Sequence, residues 1–339
     1  MQTPFLWQRY PKLAQTLPHV VLGDRPSPVR PISGLERSGG ASLWVKDDGV
    51  FGTVYGGNKV RKLEWILPDL QRRGAKSLFT WGGLATHWGL AAALYARRIN
   101  VATHVSLVDQ PIDGTVSAHL ERLRKSATLR RHRSATRAGL AAPMEIGHVV
   151  ISQRRIPYVV RPGGSSPLGV IGYVDAALEI ADQVAAGALP PPTHIVLAVG
   201  SGGTAAGLLL GMRIAGLRSR VVGIVVAHQL KREASVIRRL ARRALATLRR
   251  RGADVPDDID IERGGLETTR AWLGAGYGHH TTESQDALTV AGERASIVLD
   301  PVYTAKAMAA LLALDERGYF GKGPVLFLNT FDSLSNAIH

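Results

Sequence analysis

"HIVLAVGSGGTAAG", residues 194–207, joins a short apolar run to a glycine turn and then to a helical pattern of small residues. A strand entering a helix through such a turn directs several backbone N–H groups and the helix dipole at one point. The result is either a tight strand-to-helix connection or a cradle for an anion such as phosphate. It is not a P-loop, because no Gly-Lys-Ser/Thr ending follows, and it is not the strict G-x-G-x-x-G dinucleotide form. The same grammar recurs along the chain. "SLFTW" (77–81) leads into "GGLATHWG" and a helix, "YVVR" (158–161) into "PGGSSPLG" and a helix, and "VATHVSLV" (101–108) into a segment read as largely helical to about Gly139. "VVGIVVA" (221–227) and "VLFLN" (325–329), the latter after a helix at about 304–317, complete the series. Repeated strand, glycine loop and helix predict an α/β fold of parallel sheets flanked by helices, with ligands at the carboxyl ends of the strands.

Composition narrows the function classes. A chain of 339 residues, 45% apolar, suits one large or two closely packed domains. There is no cysteine, which removes disulfides, thiolate metal sites and a cysteine nucleophile. His279-His280 lacks metal-ligand spacing, so no metal is expected. No leader-like or membrane-spanning run is visible, and a cytoplasmic protein is expected. The formal charge of +15 collects in two places, with seven Lys/Arg between Arg122 and Arg137 and nine between Lys231 and Arg251. In the second, Ile237, Leu240, Ala241, Ala244, Leu245 and Leu248 recur at helical spacing, which predicts one apolar stripe and one solvated face. Neither segment is interleaved with aromatics, so plain surface charge is expected rather than specific nucleic-acid binding.

The chemistry-bearing candidates sit at the glycine corners. In "VYGGNKVRKLEW" (54–65), Lys59 follows Gly56-Gly57-Asn58, with Arg61 and Lys62 close behind. Either a basic helix starts there, or glycines bring an amine against a ligand. Thr86 and His87 fall at a helix N-terminus, where Thr86 is an N-cap or a ligand to a carboxylate. Tyr277, Tyr303 and Thr304 offer hydroxyls late in the chain.

Taken in order, GGNK, the following GG loop, GSGGT and DPVYT resemble the pattern of fold type II pyridoxal-phosphate enzymes, specifically the 1-aminocyclopropane-1-carboxylate deaminase and D-cysteine desulfhydrase family. The resemblance runs from "LGDRPSPVRP" (22–31) through "LWVKDDGV" and "YGGNKVRKLE" to "GPVLFLN", and weakens over 122–150 and 229–265. It implies a two-domain, tryptophan synthase β-like fold, with residues 62–172 as the smaller domain and 1–61 plus 173–339 as the larger. It also implies pyridoxal 5'-phosphate, a small amino-acid substrate and a homodimer. Lys59 would carry the cofactor as a Schiff base, and Asn58 would shape its corner. Lys62 with Gly200, Ser201, Gly202, Gly203 and Thr204 would bind the phosphate. Thr86 would contact substrate, and His87 would stand where the family has the asparagine that contacts the cofactor. Tyr277 and Tyr303 match active-site tyrosines, and Thr304 matches the partner of the pyridine nitrogen.

The branches of the family divide at that last position. The deaminase pattern reads DPVYEGK, whereas Thr304 follows the desulfhydrase pattern. A hydroxyl cannot hold the ring-nitrogen charge as a carboxylate does, which suits good leaving groups and favours β-elimination to ammonia and a 2-keto acid. Two departures leave β-replacement or cyclopropane opening as alternatives, and a degenerate cofactor-binding homologue as the non-enzyme one. Thr86-His87-Trp88 replaces Ser-Asn-(Gln/His), with a bulky indole expected in the substrate loop, and "LNTFDSLS" puts Phe331 and Asp332 in the place of an HTGG-like ending.

Overall fold

The structure is a computed structural model that describes residues 3–227 and 231–334. The described strands form two sheets. The larger has the order β1-β2-β10-β7-β8-β9. Its strands are β1 (Val29–Pro31), β2 (Ser42–Asp47), β7 (His194–Val199), β8 (Arg220–Val225), β9 (Leu266–Thr269) and β10 (Pro324–Asn329). The smaller, β5-β4-β3-β6, uses β3 (Ser77–Gly83), β4 (Ala102–Val108), β5 (Thr128–His132) and β6 (Tyr158–Val159). Every pairing is parallel except β1 with β2. The helices are α1 (Phe5–Arg9), α2 (Leu13–Thr16), α3 (Asn58–Arg72), α4 (His87–Arg97), α5 (Gly114–Arg124), α6 (Ala135–Gln153), α7 (Pro167–Ala185), α8 (Gly203–Ile214), α9 (Glu233–Arg250), α10 (Thr282–Ala295) and α11 (Thr304–Glu316).

The continuous apolar strands follow from burial on both faces. Side chains alternate across a strand, and here each face meets its own core. Ile195, Leu197 and Val199 of β7 pack with α7, α8 and α9, while Val196 and Ala198 pack with α10 and α11. β10 divides in the same way, with Leu326 and Leu328 on the first side and Val325 and Phe327 on the second. A third core joins the smaller sheet to α3, α4 and α5.

One sequence expectation fails between residues 101 and 139. The segment after β4 is not largely helical, because Thr128–His132 forms β5 between α5 and α6. Its sequence, TLRRH, carries two adjacent arginines at a sheet edge and lacks the apolar run that marks the inner strands. β2 and β9 likewise lack a continuous apolar run, and α7 begins at Pro167, inside the PGGSSPLG loop. No described helix is long and apolar enough to cross a membrane.

A buried ionic cage ties the N-terminal segment to α3 and α7. The Arg61 guanidinium donates to Asp48 at 2.8 Å and to Glu179 at 2.8 Å, and Lys46 donates to Glu179 at 2.6 Å. Arg25 pairs with Glu64, and with Asp175 at 3.2 Å. Tyr173 adds a 2.6 Å hydrogen bond to Asp48. Burial acts against the charge on Arg61, but Asp48 and Glu179 outweigh it and hold the guanidinium protonated. Arg61 thus fixes the turn of α3 that lies between Lys59 and Lys62.

Candidate active site

A cavity of about 460 Å³ opens at the carboxyl ends of β3, β7 and β10, where α3, α4 and α8 begin. It is lined by Asn58, Lys59, Lys62, Thr86, His87, Tyr277, Tyr303 and the whole Gly200–Thr204 loop. Every glycine corner singled out in the sequence therefore meets at one place.

The corner before Lys59 needs its glycine. Gly57 has φ of +87°, and a Cβ there would lie 2.6 Å from the Thr330 carbonyl oxygen. The backbone passes that close to the end of β10, so α3 starts directly at the cavity wall. Asn58 bridges two parts of the site, accepting from Lys59 Nζ and donating to Thr204 Oγ1, the latter at 3.0 Å. Burial lowers the Lys59 amine to about 8, with Asp300 acting in the opposite direction. Lys62 is pushed well below the ordinary lysine value by burial and then by the charge of Lys59. Its ammonium donates to the Gly163 carbonyl oxygen at 2.8 Å. No carboxylate pairs with it among the described residues.

These residues fit a phosphate. Gly202 takes φ of +83° to turn the chain into α8, whose first N–H groups face the cavity. A Cβ on Gly203 would stand 2.5 Å from Ser165 Oγ and 3.2 Å from Lys62 Nζ, filling the space between them. Ser165 and Ser201 share a 2.7 Å hydrogen bond at its edge. Backbone donors, two hydroxyls and a buried amine without a counter-charge make a cradle suited to a dianion.

The opposite end holds the substrate-side candidates. Thr86 caps α4, its hydroxyl accepting from Gly89 N at 3.2 Å. His87 Nδ1 lies 2.5 Å from the Tyr55 hydroxyl, and its ring meets those of His119, Tyr303 and Phe331 edge-on. Burial, then His119, Lys59 and Arg122, push His87 well below the ordinary imidazole value, so the ring is neutral. Tyr303 donates to Tyr277 at 3.0 Å. Burial raises both phenols, which makes them hydrogen-bond donors and not bases.

One expectation needs correction, and a second gains a neighbour that the sequence did not show. The Trp88 indole reaches the cavity edge but does not fill the substrate loop. It is 2% exposed, donates to Thr80 Oγ1 at 2.9 Å, and lies beneath Gly164. Thr304 does not line the cavity. Its hydroxyl donates to the Asp300 carboxylate at 2.9 Å and accepts from Asp300 N at 2.8 Å. Asp300 also accepts from the backbone N–H groups of Val302 and Tyr303 at the entry to α11. The cavity wall there is Asp300, and Thr304 stands behind it.

Several lining residues carried no signal strong enough to single them out as functional. Ser165 lay in a glycine loop that was weak when read alone. Tyr55 stood inside the quoted lysine stretch, but only its hydrogen bond to His87 gives it a place. His119, on α5, has its Nε2 buried without a hydrogen-bond partner among the described residues. The second basic segment is not surface charge alone, because Arg239 and Arg243 of α9 line the cavity with Arg161. Phe331 and Asp332 also line it, and Asp332 accepts from Gly56 N at 2.7 Å. Ser335, the last residue of "LNTFDSLS", lies outside the described residues.

A lysine at the start of a helix, facing a glycine-loop phosphate cradle between two parallel-rich sheets, defines a fold type II scaffold. The chain belongs to the pyridoxal-phosphate dependent enzymes, whose family pattern it matches over residues 20–330. Its cofactor is pyridoxal 5'-phosphate. It is 31% identical over 334 residues to a Pyrococcus horikoshii protein named for 1-aminocyclopropane-1-carboxylate deaminase, covering 97% of each chain. It is 31% identical over 327 residues to the D-cysteine desulfhydrase of Yersinia enterocolitica, covering 94% of each. The crystal structure of an ACC deaminase homologue superposes with a TM-score of 0.81 at 30% identity, covering 98% of this chain and 96% of that one. The tomato threonine deaminase isoform 2, at 14% identity and a TM-score of 0.65, shares the fold.

Proposed function

We propose that the protein is a lyase that removes the α-proton of a small, β-substituted amino acid and expels the β-substituent, releasing ammonia and a 2-keto acid. D-Cysteine-like substrates are the preferred class. The observation that carries this reading is the pair of amines on one turn of α3, with Lys59 lowered to about 8 beside a phosphate cradle that includes Lys62.

Pyridoxal phosphate, held through its phosphate by Lys62, Ser165, Ser201 and the N-terminus of α8, supplies the electron sink that makes an α-proton removable. The chain's own residues supply the rest. Lys59 carries the cofactor and moves the proton. With its amine near 8, roughly a tenth is neutral at pH 7, and that fraction falls about tenfold for each further pH unit below the midpoint. Asn58 holds Nζ toward the Thr204 end of the cavity. Thr86 and the first N–H groups of α4 suit the substrate carboxylate. Tyr277 and Tyr303, both protonated, suit donation to the departing β-group, whose bond to Cβ breaks with the electron pair leaving on sulfur. Neutral His87, bonded to Tyr55, suits the edge of the cofactor ring where an asparagine is expected.

The proposal extends to residues 62–172 as the smaller unit, supported by the four-stranded sheet drawn entirely from residues 77–159. Its boundaries cut through α3 and α7. It also extends to a homodimer in the cytoplasm. The resemblance supports the dimer, and light scattering on the purified protein tests it.

The test of activity is a panel of D- and L-amino acids and 1-aminocyclopropane-1-carboxylate, assayed for ammonia and keto acid. D-Cysteine or β-chloro-D-alanine should yield both. Lys59→Ala should lower the rate by at least about a thousandfold, and borohydride should fix the cofactor to the wild-type peptide containing Lys59 but not to the variant. Keto acid from no β-substituted amino acid, with consumption only when a second nucleophile is added, would establish a β-replacement enzyme instead.

A further inference from the structure

Helix α9 is arginine-rich, and its cations divide into two sets. Those facing outward are committed. Arg242 pairs with Glu262 at 3.3 Å and Arg249 with Asp257 at 3.2 Å, while Arg238 donates to the Ile261 carbonyl oxygen. Arg239 and Arg243, one turn apart on the same face, line the cavity and have no ion-pair or hydrogen-bond partner for their side chains among the described residues. The same is true of Arg161, from the loop between β6 and α7.

All three stand at the phosphate end. α9 packs on the glycine loop itself, since a Cβ on Gly202 would meet Ile237 Cγ1 at 3.1 Å and Leu240 Cδ1 at 3.9 Å. Arg239 and Arg243 flank Leu240 along the helix. The loop begun by Arg161 reaches the same spot, where a Cβ on Gly163 would lie 2.2 Å from Ser201 Oγ. The carboxylates that line the cavity are engaged elsewhere. Asp109 pairs with Arg131 at 2.5 Å, Asp300 takes the donors at the start of α11, and Asp332 accepts from Gly56 N.

We propose that Arg161, Arg239 and Arg243 form an anion-capture rim that draws the cofactor's phosphate from solution into the cradle. The inference rests on the cofactor assignment made above. The three side chains are exposed, so they act at long range and through salt-screened charge, in contrast to the direct hydrogen bonds of the cradle. Their contribution therefore belongs to the rate of cofactor uptake and its salt dependence.

The test uses the full chain stripped of cofactor with hydroxylamine and re-exposed to pyridoxal phosphate, with uptake followed by visible absorbance. At low salt, Arg239→Gln with Arg243→Gln should slow uptake by about tenfold, and the salt dependence seen in wild type should flatten. Arg239→Lys with Arg243→Lys keeps the charge and should keep most of the rate, which separates charge from packing. Uptake of unphosphorylated pyridoxal should be equal in wild type and the Gln variant. Equal rates and equal salt slopes for pyridoxal phosphate in wild type and the Gln variant would overturn the rim. A wild-type chain that took up neither form would overturn the cofactor assignment as well.

Discussion

Lys59 and Lys62 are three residues apart and face one cavity, yet their environments assign them different work. Lys59 is lowered to about 8 chiefly by burial, with Asp300 opposing. An amine that must be neutral to accept a proton gains activity as pH rises through that value. Capture of pyridoxal phosphate by the stripped chain, which needs the same neutral amine, should therefore speed up between about pH 7 and 9. The stability of the stripped chain should move the same way. Unfolding restores the ordinary lysine value of 10.5, so between about 8 and 10.5 the unfolded chain binds more protons and stability increases with pH. A urea titration at pH 7.5 and 9.5 checks the sign. A lower midpoint at the higher pH would mean that Lys59 is not the group being relieved. Lys62, depressed further and facing a cradle of donors, suits a partner that brings its own negative charge.

At the level of elements, the site is an assembly of helix beginnings, and these were the most legible parts of the chain. Glycine between an apolar run and a helical pattern marks such a junction because nothing else turns the backbone so tightly. Less legible was what stands behind a junction. Motif order places Thr304 as a ring-nitrogen partner but says nothing of its neighbours. Only the fold shows its hydroxyl turned to Asp300, where it helps to close the first turn of α11. Trp88 shows in the same way that a sequence neighbour of a site residue can face the core. β5 was missed because edge strands tolerate charge that inner strands cannot. The cradle itself offers a direct test, since Gly203 leaves room that a methyl group would fill. Gly203→Ala should weaken cofactor binding by about tenfold, equivalent to roughly 1.4 kcal/mol, with little change in the unfolding midpoint of the stripped chain. Fluorescence titration with pyridoxal phosphate measures it, and unchanged affinity would move the phosphate elsewhere.

Across the whole molecule, stability and site geometry share the ionic cage. Burial alone would raise the Glu179 carboxyl, but Arg61 and Lys46 outweigh it and hold it well below the usual carboxylate range. Such a group contributes stability above the ordinary carboxylate pKa and loses it as pH falls. Glu179→Gln should cost about 3–5 kcal/mol, because two buried cations lose a shared counter-charge. Guanidinium unfolding of wild type and variant reads it directly. A loss below about 1 kcal/mol would mean that water or rearrangement had replaced the carboxylate. Nothing in the sequence announced this cage. Its members are scattered from Arg25 to Glu179, and charged residues at such separations carry no period that could link them.

That separation has a bearing on how the chain is made. Arg25 meets Asp175 across 150 residues, and Ser27 meets Glu179 across 152. During synthesis the N-terminal segment leaves the ribosome long before α7 exists, while every strand of the smaller sheet, residues 77–159, emerges in the interval. Arg25, Lys46 and Arg61 must therefore wait in water, where an unpaired charge costs little, until α7 arrives and the N-terminal segment docks. The order of translation thus gives the smaller sheet time to form before the charged segment that anchors the lysine helix is sealed inside.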